Sequence, residues 1–292
     1  MSPSRQGLSI VLAVQGGGHR LPEVLDALEP QVRDAVEVIV LWPANQDGVL
    51  GVDRPWIRCI PGADDALAPE LWARGIREAT HDRVATTIVH CRPPDGWVDA
   101  LLAADLENHA GVGGPIAQPP DDGLAWAIWL QRYATFSPEQ VGDAPRPARE
   151  IAGDNAVYDR VRLLTVADTW ARGFWELEVH AALRERGETL QLDPALLTEH
   201  HNGYGAREFV DQRFRHALRF GSARALAMEP PRRAAYRLAS PGAPLVFGGK
   251  VARRTLALDL RRRDRLRAAP WLALFVGAWG AGEALGSWLD LS

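Results

Sequence analysis

Two hydrophobic patterns alternate along the first third of the chain. Short, largely apolar runs at residues 8–14, 36–41, 57–60 and 84–89 predict strands. The run at 84–89, which contains no charge and no regular alternation, is typical of a strand buried on both faces. Residues 21–31, 69–80 and 96–108 instead repeat apolar side chains at helical spacing. This alternation predicts an α/β fold with a mostly parallel, doubly wound sheet flanked by helices.

The fourth apolar run leads into the most informative stretch of the sequence. Residues 84–89 are followed at once by His90, Cys91 and Arg92, and then by two prolines, which a central strand does not tolerate. Ligands of open α/β sheets bind beyond the carboxyl ends of the strands. We therefore expect a functional site at His90, although a strand that simply ends in a solvated loop has the same pattern.

The pattern changes after residue 110. Residues 117–150 are rich in proline and aspartate and predict a long loop with one helical patch at 124–133. Further strands are expected at 111–116, 151–158, 190–194 and 196–200, and further helices at 159–166, 176–186 and 207–228.

Composition and charge narrow the functional classes. With a formal net charge of −4 over 292 residues, the chain has no overall basic field, so no nucleic-acid partner is expected. Two cysteines exclude a disulfide framework and fit a cytosolic location, and the first residues lead into a strand pattern instead of a signal peptide. The glycines at 16–18 lack the G-x-G-x-x-G spacing of dinucleotide sites, which disfavours a nicotinamide-dependent oxidoreductase.

The C-terminal segment combines positive charge with apolar residues. Basic residues predominate between Lys250 and Arg267, and residues 270–291 are largely apolar apart from Glu283. This combination favours a peripheral or anchored position on the cytoplasmic face of a membrane. The alternative is a helical hairpin packed on the rest of the protein. We therefore expect a main domain at residues 1–228, and a basic linker with an apolar, membrane-associated helical extension at 229–292.

Several short motifs follow one another in a characteristic order. They are Trp-Ala-Arg-Gly-Ile-Arg-Glu-Ala at 72–79, Val-Gly-Gly-Pro at 112–115, Gly-Asp-Asn-Ala at 153–156, Phe-Trp-Glu at 174–176 and Gln-Arg-Phe-Arg-His at 212–216. Together with the strand that ends at His90, this order resembles the family-2 glycosyltransferases with the GT-A fold, over about residues 8–224. The resemblance implies transfer of a sugar from a nucleotide-diphosphate donor to a lipid-linked or polysaccharide acceptor, with inversion.

The resemblance also implies roles for the matching residues. Glu176 stands in the place of the catalytic base, which takes a proton from the acceptor hydroxyl; its alternative is an acid favoured by the dipole at a helix N-terminus. Glu178 is the weaker candidate because it points to another face of the helix. The implied donor-binding residues are Val14, Gln15, Asn45, Asp47, Arg74, His90 and Arg92. The implied acceptor-binding residues are Asp154, Asn155 and Trp175, and those for the diphosphate are Gln212, Arg213, Arg215 and His216.

The sequence departs from the family where a metal ion would bind. His90-Cys91-Arg92 stands in the place of the Asp-x-Asp motif, whose carboxylates suit Mg²⁺ or Mn²⁺ because these hard cations prefer oxygen ligands. We therefore predict no metal ligands and no tightly bound cofactor, with at most a weak dependence on Mg²⁺ or Mn²⁺. Zinc is disfavoured because adjacent residues rarely supply two of its ligands. Arginines would then stabilise the diphosphate leaving group.

The same departure leaves a second interpretation open. A relative that has lost the metal motif and the activity would keep the fold and bind a nucleotide or a glycan. Glu176 and the Gln212–His216 motif argue for an active enzyme.

Overall fold

The apolar runs of the sequence form the strands of a central sheet. A computed structural model describes residues 7–46, 54–118 and 122–290. Within these residues the strands are β1 (Leu8–Ala13), β2 (Val36–Trp42), β3 (Ile57–Pro61), β4 (Arg83–Ile88), β5 (Cys91–Arg92), β6 (Gly111–Gly113), β7 (Ile116–Ala117), β8 (Arg146–Ala148), β9 (Asn155–Asp159), β10 (Leu190–Leu192) and β11 (Thr198–His200). The α-helices there are α1 (Leu21–Leu28), α2 (Ala68–Glu78), α3 (Trp97–Ala103), α4 (Gly123–Tyr133), α5 (Pro138–Val141), α6 (Arg160–Leu164), α7 (Glu176–Glu185), α8 (Ala206–Leu226), α9 (Pro230–Ala239), α10 (Ala243–Ala257) and α11 (Arg262–Gly286).

The larger sheet has the strand order β3-β2-β1-β4-β9-β6-β10-β8. β1 lies between β2 and β4 and is parallel to both, with Leu8 opposite Val36 on one side and Arg83 on the other. β9 runs antiparallel to both of its neighbours, β4 and β6, so the sheet is mixed. A smaller sheet has the order β5-β11-β7. The predicted α/β class with a large central sheet flanked by helices is confirmed.

Burial on both faces explains why the strand sequences lack alternation. Every residue of β1 is buried. Its Ile10 belongs to the same core cluster as Leu21 and Leu25 of α1, whereas Val11 lies against α2. A Cβ atom at Gly75 of α2 would overlap the Val11 side chain, so this glycine lets the α2 backbone approach the sheet.

Several predicted elements are shorter in the structure than the sequence suggested, and for two of them the backbone shows why. The helix expected at 96–108 ends at Ala103, because Ala104 has an extended ψ of 138°. The strand expected at 151–158 begins only at Asn155, since the N–H of Asn155 donates to the carbonyl oxygen of Ala152 at 3.0 Å and closes a turn. Asp154 therefore lies in a turn that leads into β9 instead of at a strand end.

The chain divides into two compact units. The first comprises Met1–Pro119 and Thr135–Gly203, and the second comprises Pro120–Ala134 and Tyr204–Ser292. The first unit contains both sheets, and the second contains α4 and α8 to α11. The boundary that we expected at residues 228/229 falls inside the second unit, because α8 packs against α11 of the C-terminal segment.

Glycines allow α8 and α11 to pack with their backbones close together. A Cβ atom at Gly282 would overlap the carbonyl oxygen of Phe214, and one at Gly286 would overlap the carbonyl oxygen of Leu218. Gly221 of α8 lies against the carbonyl oxygen of Glu283 in the same way. Gly282 and Gly286, two of the glycines that interrupt the apolar C-terminal segment, are therefore helix-packing residues.

Glu283 is buried in the second unit with hydrogen-bond donors around its carboxylate. The hydroxyl of Tyr236 donates to Oε1 at 2.8 Å, and the indole N–H of Trp279 donates to Oε2 at 3.1 Å. A guanidinium nitrogen of Arg224 lies 3.7 Å from Oε1. These partners compensate the desolvation of the charge. Burial and the Glu283 carboxylate raise the pKa of Tyr236 above its usual value.

In the described part of the chain, no helix combines the length and the apolar character that crossing a bilayer requires.

Candidate active site

His90 is a buried residue that connects three loops of the first unit. It follows β4, and its Nδ1 accepts a hydrogen bond from the backbone N–H of Gly203 at 3.2 Å. Its Nε2 lies 3.3 Å from the carbonyl oxygen of Gln15. Because the amide can only donate and the carbonyl can only accept, this arrangement assigns the proton of a neutral imidazole to Nε2. Both nitrogens of His90 thus hold the loops after β1 and β11.

The loop after β1 needs glycine for two separate reasons. Gly16 and Gly17 have φ angles of 64° and 57°, which side chains of L-residues rarely adopt. A Cβ atom at Gly17 would also lie 2.5 Å from Cε1 of His90. The loop is anchored by Gln15, whose Oε1 accepts from the N–H of Ala68 at 2.9 Å. The glycine cluster is therefore a left-handed turn packed on His90.

Two arginines share one carboxylate beside this turn. Nη2 of Arg20 lies 2.8 Å from Oε2 of Glu23, and Nε of Arg92 lies 3.6 Å from Oε1 of the same residue. The sequence motifs did not indicate Arg20 or Glu23. The only signal was a basic residue at the end of the glycine turn, three positions before an acid. The predicted residues Gln15, His90 and Arg92 do come together here.

Two other predicted donor residues lie elsewhere in the first unit. The Asn45 side chain is bonded to Asp65 by two hydrogen bonds, of 3.0 and 3.2 Å. Arg74 is on the exposed face of α2 and donates to the carbonyl oxygen of Pro61. Val14 is buried, and its N–H donates to the carbonyl oxygen of Leu41 at 2.8 Å. Asp47 lies outside the described residues.

Glu176 begins α7 and is half-buried against the turn before β9. Its Oε1 accepts a hydrogen bond from the N–H of Gly153 at 3.3 Å. A Cβ atom at Gly153 would lie 3.0 Å from both this oxygen and Cζ3 of Trp72, so the carboxylate fits tightly over the glycine. Trp175 is the N-cap residue of α7 and is 9% exposed.

Two carboxylates lie close enough to a buried tyrosine to affect its pKa. Burial raises the pKa of Tyr158 well above its usual value, and the negative charges of Glu176 and Asp154 raise it further. The Tyr158 hydroxyl is 3.0 Å from Nε2 of His180. The predicted base Glu176 and the predicted acceptor residue Asp154 therefore lie in one electrostatic environment.

Asn155 is held on every side by the protein. Its Nδ2 donates to the carbonyl oxygens of Pro115 at 3.1 Å and Leu196 at 2.5 Å. Its Oδ1 accepts from the indole N–H of Trp97 at 2.9 Å. These bonds tie β9 to the neighbouring loops, and contact of Asn155 with an acceptor stays a prediction.

β4 connects the His90 group with the Glu176 group. The hydroxyl of Thr86 donates to the carbonyl oxygen of Gly153 at 2.6 Å, and the indole N–H of Trp72 donates to the carbonyl oxygen of Thr87 at 2.9 Å. Both groups are thus positioned from the carboxyl end of the same central strand, where ligands of α/β sheets bind.

The motif at 212–216 belongs to α8 in the second unit. Arg213 is buried; its Nε donates to Oε1 of Gln212 at 2.6 Å, and its guanidinium lies 5.4 Å from the Trp279 ring centroid. Arg215 is ion-paired with Asp211 at 2.8 Å. Burial lowers the pKa of His216 well below its usual value, and the nearby arginine charges lower it further, so this imidazole is neutral near pH 7.

The residues at 90–92 do not fit a divalent cation. Both nitrogens of His90 have backbone partners, Cys91 is buried, and Arg92 brings a positive charge. In the described ranges, no group of three or more histidine, cysteine, aspartate or glutamate side chains is arranged to hold a metal ion. This strand end therefore presents the guanidinium of Arg92, the imidazole of His90 and backbone amides.

Comparison with known proteins identifies the fold but not a sequence family. No protein-family model and no curated protein sequence matches the chain. The structure is similar to that of mannosyltransferase PcManGT from Pyrobaculum calidifontis, solved with GDP-mannose and Mn²⁺, with a TM-score of 0.55 and 16% identity over 97% of this chain and 89% of that one. It is also similar to GalNAc-T7, solved with UDP, GalNAc and Mn²⁺, with a TM-score of 0.50 and 10% identity over 69% of this chain and 45% of that one.

These similarities define the class of fold. The protein has the mixed α/β fold of GT-A-like glycosyltransferases, which agrees with the resemblance found in the motifs. At 16% and 10% identity, the similarity extends to the fold and not to the individual site residues.

Proposed function

We propose that the protein is a family-2-like glycosyltransferase of the hexosyltransferase class. It transfers a sugar from a nucleotide-diphosphate donor to a lipid-linked or polysaccharide acceptor, with inversion and without a tightly bound metal. The observation that carries this proposal is the placement of Glu176. Its carboxylate accepts a hydrogen bond from the N–H of Gly153, beside Asp154 and near the carboxyl end of β4. The fold around it is similar to that of nucleotide-sugar transferases.

In this mechanism Glu176 is the general base. It takes the proton of an acceptor hydroxyl while that oxygen attacks the anomeric carbon and the bond to the nucleotide diphosphate breaks. The hydrogen bond from Gly153 fixes the orientation of the carboxylate. Asp154 and Trp175 flank the acceptor, and Asn155 holds the surrounding loops in place.

The donor is bound by the polar residues of the first unit and its diphosphate by arginines. Val14, Gln15, Asn45, Asp47 and Arg74 serve the nucleotide, with His90 and Arg92 beside it. For Gln212, Arg213, Arg215 and His216 of the second unit, a role in binding the diphosphate is what the motif resemblance implies, and it stays a prediction. Arginine suits this role because its guanidinium is permanently charged and can contact two phosphate oxygens at once.

The location that we propose is the cytoplasmic face of a membrane, contacted through α10. Its exposed face carries Leu245 and Leu256, whose side chains are 82% and 68% exposed. Positions 245, 249, 252 and 256 lie on one side of a helix because they are spaced by three or four residues. Lys250 and Arg253 flank this side, and the α10 sequence contains no acid. Exposed leucines with a basic flank complement an anionic lipid surface.

Vesicle sedimentation tests the membrane contact. The full chain is expected to bind vesicles containing phosphatidylglycerol more strongly than neutral phosphatidylcholine vesicles, with binding that weakens in salt. A Leu245→Ser, Leu256→Ser double variant is expected to bind about tenfold more weakly. Leu177→Ser is the matched control, because Leu177 is 50% exposed in the first unit. Equal sedimentation of both variants and wild type would remove α10 from the proposal.

A donor screen tests the transferase itself. The protein is incubated with UDP- and GDP-sugars and with a lipid or polysaccharide acceptor fraction, and the released nucleoside diphosphate and the anomeric configuration of the product are measured. We expect acceptor-dependent release with one donor and an inverted product. Binding of UDP or GDP without any turnover would favour the alternative, a catalytically silent GT-A-like nucleotide- or glycan-binding protein. The absence of carboxylates at 90–92 is what supports that alternative.

A further inference from the structure

We infer that Arg20 and Arg92 form a binding site for the diphosphate of the nucleotide, beside the strand end where the family resemblance implies a metal motif. The inference rests on the proposed function, because it names how the same site holds its donor. It adds Arg20 and Glu23, which the motifs of the sequence did not indicate.

The first argument is the position of Arg20. It ends the turn at Gly18–Arg20 and directly precedes α1, so its backbone is fixed. A Cβ atom at Gly203 would lie 2.9 Å from Cδ of Arg20 and 3.1 Å from Cε1 of His90. The stem of Arg20 therefore packs at the same point as the imidazole that replaces the first aspartate of the metal motif.

The second argument is the unused hydrogen-bonding capacity of this arginine. Arg20 binds Glu23 through Nη2, while its buried Nε has no hydrogen-bond partner among the described residues. A guanidinium has five N–H donors in a planar fork. Arg20 can therefore exchange a single carboxylate oxygen for two phosphate oxygens and gain a bond.

The third argument is the charge of the cluster. Arg20 and Arg92 contribute two permanent positive charges, and Glu23 contributes one negative charge. These three side chains together carry a net charge of +1, and the two guanidinium groups attract a diphosphate. Glu23 keeps the two guanidinium groups together in the absence of nucleotide and competes with the phosphate oxygens for them.

The neighbouring carboxylate does not turn this cluster into a metal site. Glu199 is opposite Arg92 in the smaller sheet, and its Oε2 is 3.1 Å from Nε2 of His201. A divalent cation at Glu23 would have to compete with the positive charges of Arg20 and Arg92 for the Glu23 carboxylate.

Calorimetric titration of the full chain with UDP, GDP and the nucleosides uridine and guanosine tests the inference. Each titration is run in EDTA and again in Mn²⁺. The variants are Arg20→Gln, Arg92→Gln and Glu23→Gln, with Arg33→Gln as the control, since Arg33 forms an exposed ion pair with Asp99. Thermal melts establish that each variant is folded. Should Arg20→Gln fail to fold, the exposed Arg92 and Glu23 decide the outcome.

The expected result is diphosphate binding in EDTA. Arg20→Gln and Arg92→Gln each weaken this binding about tenfold, as loss of a charge-assisted hydrogen bond predicts, and leave nucleoside binding unchanged. Glu23→Gln tightens diphosphate binding about three- to tenfold because the competing carboxylate is gone.

Three results would overturn the inference. Diphosphate affinity in EDTA that is unchanged in both arginine variants removes these residues from the site. Binding that requires Mn²⁺ and is lost in Glu23→Gln assigns Glu23 to a metal instead; it leaves the proposed transferase activity intact and contradicts only its independence of a bound metal. No binding of either nucleotide under any condition contradicts the inference and the proposed function together.

Discussion

Replacement of Glu176 by glutamine separates the chemistry of the carboxylate from its structural role. Glutamine has the same shape, and its carbonyl oxygen can accept the 3.3 Å hydrogen bond from the N–H of Gly153. Because the site over Gly153 is tight, such that a Cβ atom there would lie only 3.0 Å from the Glu176 carboxylate, an isosteric side chain is the appropriate choice. The free energy of unfolding is expected to change by less than about 1 kcal/mol, since one hydrogen bond is retained.

The effect on catalysis is expected to be far larger. An amide cannot accept the proton of the acceptor hydroxyl, and general-base catalysis contributes roughly 10²- to 10⁴-fold. The activation free energy should therefore rise by about 3–5 kcal/mol, while the affinity for the nucleotide stays the same.

The assay is the initial rate of nucleoside diphosphate release at saturating donor and acceptor, with a thermal melt of each variant. Glu178→Gln is the control, because Glu178 is half-buried in the same helical turn and is expected to keep its rate within about threefold, well below the general-base effect. A Glu176→Gln rate within threefold of wild type, with normal folding, would show that this carboxylate is not the base.

Three further predictions concern stability. Gly17→Ala is expected to cost more than Gly96→Ala in urea unfolding, by about 1–3 kcal/mol, because both glycines have a left-handed backbone conformation but only Gly17 would place a Cβ atom against another side chain; equal losses would contradict the packing argument. Gly286→Ala is expected to destabilise the protein by about 1–3 kcal/mol through overlap with α8, whereas Gly277→Ala, with open space around it, is expected to stabilise it by about 0.5–1 kcal/mol. Burial lowers the pKa of His180 from 6.5 to about 3. Between these two pH values His180 is protonated in the unfolded chain but not in the folded protein. The free energy of unfolding should therefore fall as pH is lowered from 6.5 towards 3, by at most about 1.4 kcal/mol per pH unit for this group. A His180→Gln variant with the same pH slope as wild type would refute this assignment.

The sequence predicted the central strands well because their burial leaves a direct trace. β1, β2 and β4 are largely buried on both faces and therefore appear as mostly apolar runs without regular alternation. The start of α7 was also visible, and its end at residue 185 is followed by Gly187 with a φ of 83°. Such local signals come from residues close together in the chain.

The features that were not predicted depend on contacts between distant segments. The antiparallel placement of β9 between β4 and β6 is not encoded in any local pattern. Similarly, α8 lies with the C-terminal helices because glycines of α11 fit against its backbone, 60 residues or more away in the chain. A glycine spacing alone does not identify its partner.

The same limit applies to the candidate site. The motifs indicated His90 and Arg92, and the structure places His90 against Gln15 and Arg92 against Glu23. They did not indicate Arg20 or Glu23, since an Arg–Glu pair three residues apart is an ordinary feature of helix starts. The relation of this pair to the site becomes visible only in the folded structure, where Gly203 packs against both Arg20 and His90. The roles assigned to individual residues remain predictions for the variants above to test.

The second unit is assembled from two separated parts of the chain, and this has a consequence for biosynthesis. α4 packs against α10 and α11 and buries Ile128, Trp129 and Leu130. During translation roughly 130 residues separate the end of α4 from the start of α11, which at about 5–20 residues per second means a delay on the order of ten seconds. The nascent chain must therefore keep this apolar helix from aggregating until its partners leave the ribosome.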